Sequence, residues 1–140
     1  MSLQWLLDRF RGHENDEAVV WRDQSITYGT LLANIDDATA FLTEHGLAPG
    51  SIVLLDADFS PNAIALLLAC LNQRHIVVPV AAHVANLDRD KYARISEAAH
   101  AITVSEDDTY QMRAYPHAAS HEALVKLRSM GEPGLVLFSS

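Results

Sequence analysis

Two short apolar runs separated by an apolar segment of helical length constrain this chain more than any other feature. Residues 51–55 and 76–80 show no polar alternation, which is the pattern of strands buried on both faces of a parallel sheet. Between them, residues 63–71 are apolar nearly all round, so a helix there needs cover on most sides. Ser60 supplies a hydroxyl N-cap, and Pro61 takes the first helical position, where its missing N–H costs nothing. Strand, helix and strand at these lengths predict a right-handed βαβ unit. Pro79 has no N–H to donate, so it is expected to stop the second strand from running on as a central ladder.

The flanks extend the pattern. Leu3, Leu6, Leu7 and Phe10 recur at helical spacing and predict a short helix over 3–11, closed by Gly12. Residues 18–22 read as a strand, Asp23-Gln24 as a tight turn and 25–27 as the returning strand of a small hairpin. Trp5, Trp21 and Tyr28 are expected to pack between this hairpin and the body. Thr27 can cap a helix carrying the stripe Leu31, Leu32, Ile35, Ala38, Phe41 and Leu42, which Gly46 ends. A further helix is expected to begin at Asp88 or Asp90, followed by a strand over 101–104. Residues 106–108 read as a solvated loop, 110–113 as a short strand and 121–130 as a weakly periodic helix. The turn Gly131-Glu132-Pro133-Gly134 then leads into an expected central strand, Leu135-Val136-Leu137-Phe138. The alternation predicts an α/β fold: a mostly parallel sheet with flanking helices plus the small N-terminal hairpin.

Composition narrows the partners. The 140 residues are 49% apolar and 20% charged, with a net charge of −8 and no lysine or arginine cluster. A nucleic acid or an anionic membrane surface is therefore not an expected partner. No run approaches the ~20 residues of a membrane span. Cys70 is the only cysteine, so no internal disulfide can form, and the cytoplasm is the expected compartment. Its place in an apolar run reads as packing rather than as a nucleophile.

Few residues carry chemistry. Ligands of open α/β sheets collect at the carboxyl ends of strands, where Ser139 and Ser140 follow the last apolar run. Hydroxyls there, continued by glycines, would let backbone N–H groups wrap a phosphate. Asp56 and Asp58 also follow a strand end, and read as turn and cap formers in preference to ligand contacts. His117 and His121 share i, i+4 spacing, but Pro116 interrupts a helix and no third ligand is evident, so no metal site is expected. Lys91 and Lys126 read as surface residues of helices.

Four motifs in order resemble the N-terminal region of the adenylate-forming (AMP-dependent synthetase/ligase) superfamily. Ile26-Thr27-Tyr28-Gly29-Thr30-Leu31 is similar to its early hydrophobic-Thr-Tyr-x-x-Leu motif. Leu47-Ala48-Pro49-Gly50-Ser51-Ile52-Val53 is similar to its Leu-x-x-Gly-Asp-x-Val entry to the first sheet strand. The stretch from Ala69-Cys70-Leu71 to Val78-Pro79-Val80 resembles Ala-x-Leu-x-x-Gly-x-x-x-Val-Pro. Gly134-Leu135-Val136-Leu137-Phe138-Ser139-Ser140 resembles the lead-in to the family's phosphate loop, which continues Gly-Thr-Thr-Gly-x-Pro-Lys. Two departures stand out: Arg74 replaces the usual glycine and Ser51 the common aspartate.

The resemblance implies that residues 1–140 are the N-terminal portion of a large adenylation domain, truncated inside its phosphate loop. The parent would use ATP with Mg²⁺ to convert a carboxylic acid to an acyl-adenylate, then pass the acyl group to a thiol, coenzyme A above all. Stretch 117–133 is closer to acyl-CoA synthetase-like members. Only Ser139 and Ser140 would belong to the ATP phosphate site, and the family's catalytic lysine lies in a downstream domain. A chain of this kind is expected to be inactive alone, to bind no cofactor and to self-associate through uncovered apolar faces, including that of the 61–73 region. The alternative is a complete, flavodoxin-like binding module.

Overall fold

The computed structural model describes residues 3–138, with the side chains of 83–87 outside that description. Helix α1 (Gln4–Arg11) leads to a hairpin of β1 (Glu17–Trp21) and β2 (Gln24–Thr27), then to α2 (Tyr28–Glu44). There follow β3 (Ile52–Asp56), α3 (Pro61–Asn72), β4 (Ile76–Val80), α4 (Ala82–Ser96), β5 (His100–Val104), β6 (Tyr110–Ala114), α5 (Glu122–Met130) and β7 (Gly134–Leu135). The sheet order is β6-β5-β3-β4-β7. Strands β5, β3, β4 and β7 pair in parallel, and β6 pairs with β5 antiparallel. This is the mostly parallel sheet, with its separate hairpin, that the apolar runs predict.

The unalternating runs have a simple cause. Val53, Leu55, Val77 and Ile102 face a core built with α1, α2 and α3, while Ile52, Leu54, Ile76, Val78 and Ala101 face one built with α4 and α5. Each strand residue is apolar because both faces are covered. α3 packs between α2 and the sheet, with Ile64, Leu67, Leu68 and Leu71 half-buried, so it is not the open surface that the sequence suggests. Exposed apolar side chains lie on the β7 side, where Leu137 is 71% exposed and Leu135 also faces solvent, and singly elsewhere, at Trp5, Val20 and Phe59. Among the described residues no helix is long and apolar enough to cross a membrane.

The caps form as expected. Thr27 Oγ1 accepts the Thr30 N–H at 3.2 Å, and Ser60 Oγ accepts the Ala63 N–H at 3.2 Å. Gly46, at φ +71, closes α2 as Leu47 N–H reaches back to the Leu42 carbonyl.

Other details differ from expectation. The hairpin turns at Arg22-Asp23, one residue earlier than predicted. Trp21 pairs with Gln24, and both turn residues have positive φ, 51° and 63°, as a two-residue primed turn requires. Arg22 lies over the Trp21 ring, 4.3 Å from its centroid. Tyr28 packs on Phe10 as expected, at 4.9 Å between ring centroids, but Trp5 is 63% exposed on the outer face of α1.

Helix α4 begins at Ala82 and is broken at Asp88, where φ is −137°, so the predicted start at Asp88 marks its second segment. Pro79 stays in the ladder with β3, opposite Leu55. Residues 75 and 77 direct their carbonyls at β7, so Pro79 turns its missing donor to that side. Its restriction acts there: the β4–β7 pairs are Ile76–Gly134 and Val77–Leu135. β7 is accordingly two residues long and shorter than the predicted strand through Phe138.

Candidate functional site

The carboxyl ends of β5, β3, β4 and β7 lie along one edge of the sheet, and the chemistry of the chain is concentrated there. At the end of β3, Asp56 is 1% exposed. A buried carboxylate is costly unless paired, and Arg89 of α4 pairs it, donating from Nε to Oδ2 at 2.7 Å and from Nη2 to the same oxygen. Thr103 at the end of β5 adds its hydroxyl at 3.3 Å. Asp56 is therefore an anchor between sheet and helix, and not the turn former that its position suggests.

Asp58 accepts the Ala82 N–H at 3.4 Å and so ties the loop after β3 to the start of α4. Phe59, between Asp58 and the α3 cap, is 86% exposed. Beside this loop is a cavity of about 280 Å³ whose walls include Leu55, Ala57, Ile64, Leu67, Pro79 and Val80. Its apolar walls carry no cationic side chain, so it suits hydrocarbon better than phosphate.

β7 brings the chain to the same edge. Val136 N–H donates to the Val77 carbonyl at 2.9 Å, and Phe138 then lies against Tyr92 of α4, 4.5 Å between ring centroids. Ser139 and Ser140, the sequence-predicted phosphate contacts, lie outside the described residues.

The remaining candidates separate clearly. Cys70 is buried, and burial pushes its thiol up to about 12, which removes the thiolate that reactivity requires. His117 stacks on Tyr115 in irregular chain, while His121 caps α5 by accepting the Ala123 N–H at 3.2 Å, so the two histidines do not share a helical face. Among the described residues no group of three or more His, Cys, Asp or Glu converges on a metal position. Lys91 and Lys126 are exposed on α4 and α5.

Two features escape the sequence reading. Arg89 has no motif around it, and its partner is 33 residues away. His75 and His100, at the amino ends of β4 and β5, each bury an unpartnered Nδ1. Burial, and His100 beside it, push His75 down to about 4. A buried histidine preceding a strand has no distinguishing sequence signal.

Both departures from the family pattern keep the local geometry. Arg74 adopts φ +64, the left-handed conformation that explains a glycine at this place. Ser51 closes the turn before β3 by donating its hydroxyl to the Ala48 carbonyl at 2.5 Å.

The family model for AMP-binding enzymes matches residues 6–137. The chain belongs to the AMP-binding enzyme family. Comparison with curated protein sequences finds no match. Among solved structures, Klebsiella oxytoca NpsA in complex with 3-hydroxyanthranilyl-AMSN superposes with a TM-score of 0.73 at 19% identity, covering 99% of this chain and 30% of that one. The artificially fused adenylation-PCP di-domain NRPS NpsA-ThdA, from the same organism, gives 0.72 at 19% identity over 99% of this chain and 28% of that one. The inhibitor-bound N-terminal domain of FACL13 from Mycobacterium tuberculosis gives 0.62 at 21% identity, over 70% and 25%. At such identities the likeness is one of fold. This AMP-binding family chain spans less than a third of the length of these three structures.

Proposed function

We propose that residues 1–140 form the N-terminal portion of the adenylation domain of an ATP-dependent carboxylate-activating ligase, and that they deliver the chain to the phosphate loop starting at Ser139 and Ser140. The observation that carries this reading is the family match over 6–137, on a sheet whose last strand ends at the ligand-binding edge.

In the reaction proposed, a carboxylate oxygen bonds to the α-phosphorus of ATP as the bond from that phosphorus to the β-bridging oxygen breaks, and pyrophosphate leaves. The carboxylate is ionised at neutral pH, so no general base is needed. The protein's task is to hold the α-phosphate in line and to stabilise its charge. Helices α3 and α4 and the sheet form the frame for that task. The described residues do not fit a Mg²⁺ site of their own, since Asp56 is taken by Arg89.

In the second step a thiolate attacks the acyl carbonyl and AMP leaves. Coenzyme A is the acceptor proposed first, as in acyl-CoA synthetases. A carrier-protein thiol is the second reading, favoured by the likeness to the adenylation-PCP di-domain structure. The chain alone is inactive and self-associating in this account, and its place is the cytoplasm. Carboxylate-dependent ATP–pyrophosphate exchange tests the reading: the full-length gene product exchanges and residues 1–140 do not. Exchange by residues 1–140 alone overturns it.

A further inference from the structure

We propose that α4 sets the approach of the chain to Ser139, with Asp56, Arg89 and Tyr92 as positioning residues; the inference rests on Ser139 and Ser140 being the first residues of the phosphate loop. Three observations join. The Asp56–Arg89 pair fixes the second segment of α4 to the carboxyl end of β3, because withdrawing Arg89 would leave a carboxylate that is almost fully buried without its cation. The break at Asp88 lies just before Arg89, so this anchor orients the second segment independently of the first. Tyr92 follows Arg89 by three residues and therefore lies on the same side of the helix, where its ring meets Phe138.

Phe138 needs such a contact. The β4–β7 pairs end at Val77–Leu135, one further bond holds Val136, and Leu137 is largely in solvent. Beyond Val136, among the described contacts, the ring of Tyr92 holds the segment to the body. A loop that wraps a phosphate loses catalytic power when displaced by about an ångström, so the entry residue has to be held. Asp56 thus acts on the loop through Arg89, Tyr92 and Phe138 in turn, without touching the nucleotide.

The test has two readouts. Amide exchange followed by NMR on residues 1–140 compares wild type with Arg89→Met, Tyr92→Ala, Tyr92→Phe and, as a general destabiliser, Leu42→Ala. Tyr92→Ala removes no charge partner, so it keeps the test open if Arg89→Met fails to fold. The expected result is about tenfold faster exchange at Val136, whose N–H donates to the Val77 carbonyl, in Arg89→Met and Tyr92→Ala, the size of one aromatic pair. Val53 in β3 stays protected in both, and Tyr92→Phe, which keeps the ring, behaves as wild type. Leu42→Ala is expected to alter the Val53 amide first. Unchanged exchange at Val136, or acceleration only in step with Val53, overturns the anchor.

In the full-length gene product, both variants are expected to lower kcat of ATP–pyrophosphate exchange about tenfold or more, with KM for the acid unchanged. Wild-type kcat in both variants overturns the positioning role. Absence of exchange in the wild-type protein overturns the phosphate-loop reading instead, while the anchor is judged on amide exchange.

Discussion

Arg74 adopts φ +64 with its side chain in solvent, whereas Gly50, at φ +83, has no room for a Cβ, which would come within 2.7 Å of Arg128 Cγ. Strain at Arg74 is therefore backbone strain alone. Left-handed backbone costs an L-residue about 1–2 kcal/mol, and glycine gives back about 0.5–1 of that in chain entropy. Arg74→Gly should accordingly raise stability by about 0.5–1 kcal/mol in urea unfolding. His75 supplies the acid sensitivity. Its pKa falls from 6.5 to about 4 on folding, so its neutral form contributes stability above pH 6.5 that is lost as pH drops toward 4. That contribution is at most about 3 kcal/mol. Between pH 7.5 and 5 the wild-type urea midpoint should fall, and His75→Gln should flatten the fall. An equal fall in the variant would assign it to other groups. Asp90, Asp107 and Glu97 have pKa values held below the ordinary range by hydrogen bonds, so their losses come at lower pH.

Among the elements, α5 is placed by contacts distant in sequence. Glu97, itself in left-handed conformation after α4, accepts the backbone N–H groups of Ser120 and His121 at 3.1 and 2.7 Å and the Ser120 hydroxyl. Arg128 at the far end of α5 donates to the Gly50 carbonyl at 3.1 Å. Glu97→Gln keeps the shape but weakens charge-assisted acceptance. Faster amide exchange at Ser120 and His121, with β3 unchanged, is expected by NMR. Elements of this kind mark the limit of what was legible. The βαβ core could be read because burial on both faces leaves its mark on every residue of β3, α3 and β4, and because Thr27, Ser60 and Gly46 signal helix ends locally. The antiparallel course of β6 could not, since Tyr110, Gln111 and Met112 carry no trace of direction. The outward position of Trp5 has no sequence signal, because helical spacing defines a face without showing which way it turns. Asp56 could be read as a residue at a strand end, but its partner Arg89 depends on how α4 folds over the sheet.

At the scale of the whole molecule, two faces of one sheet are covered, yet the β7 edge carries Leu135 and Leu137 in solvent, next to a cavity of about 690 Å³ with Ile95, Leu124, Leu127 and Val136 among its walls. Exposed apolar surface on an edge strand promotes association. Sedimentation of residues 1–140 should show dimers or larger species, with Leu135→Lys/Leu137→Lys shifting the population to monomer; a wild-type monomer at high concentration would contradict this. In the function proposed above, β4, β7 and α4 carry the chain to a nucleotide phosphate loop at Ser139. The decisive measurement is the gene sequence beyond the codon for Ser140. A reading frame continuing Gly-Thr-Thr-Gly-x-Pro-Lys is expected, and a stop codon directly after Ser140 would overturn the proposal.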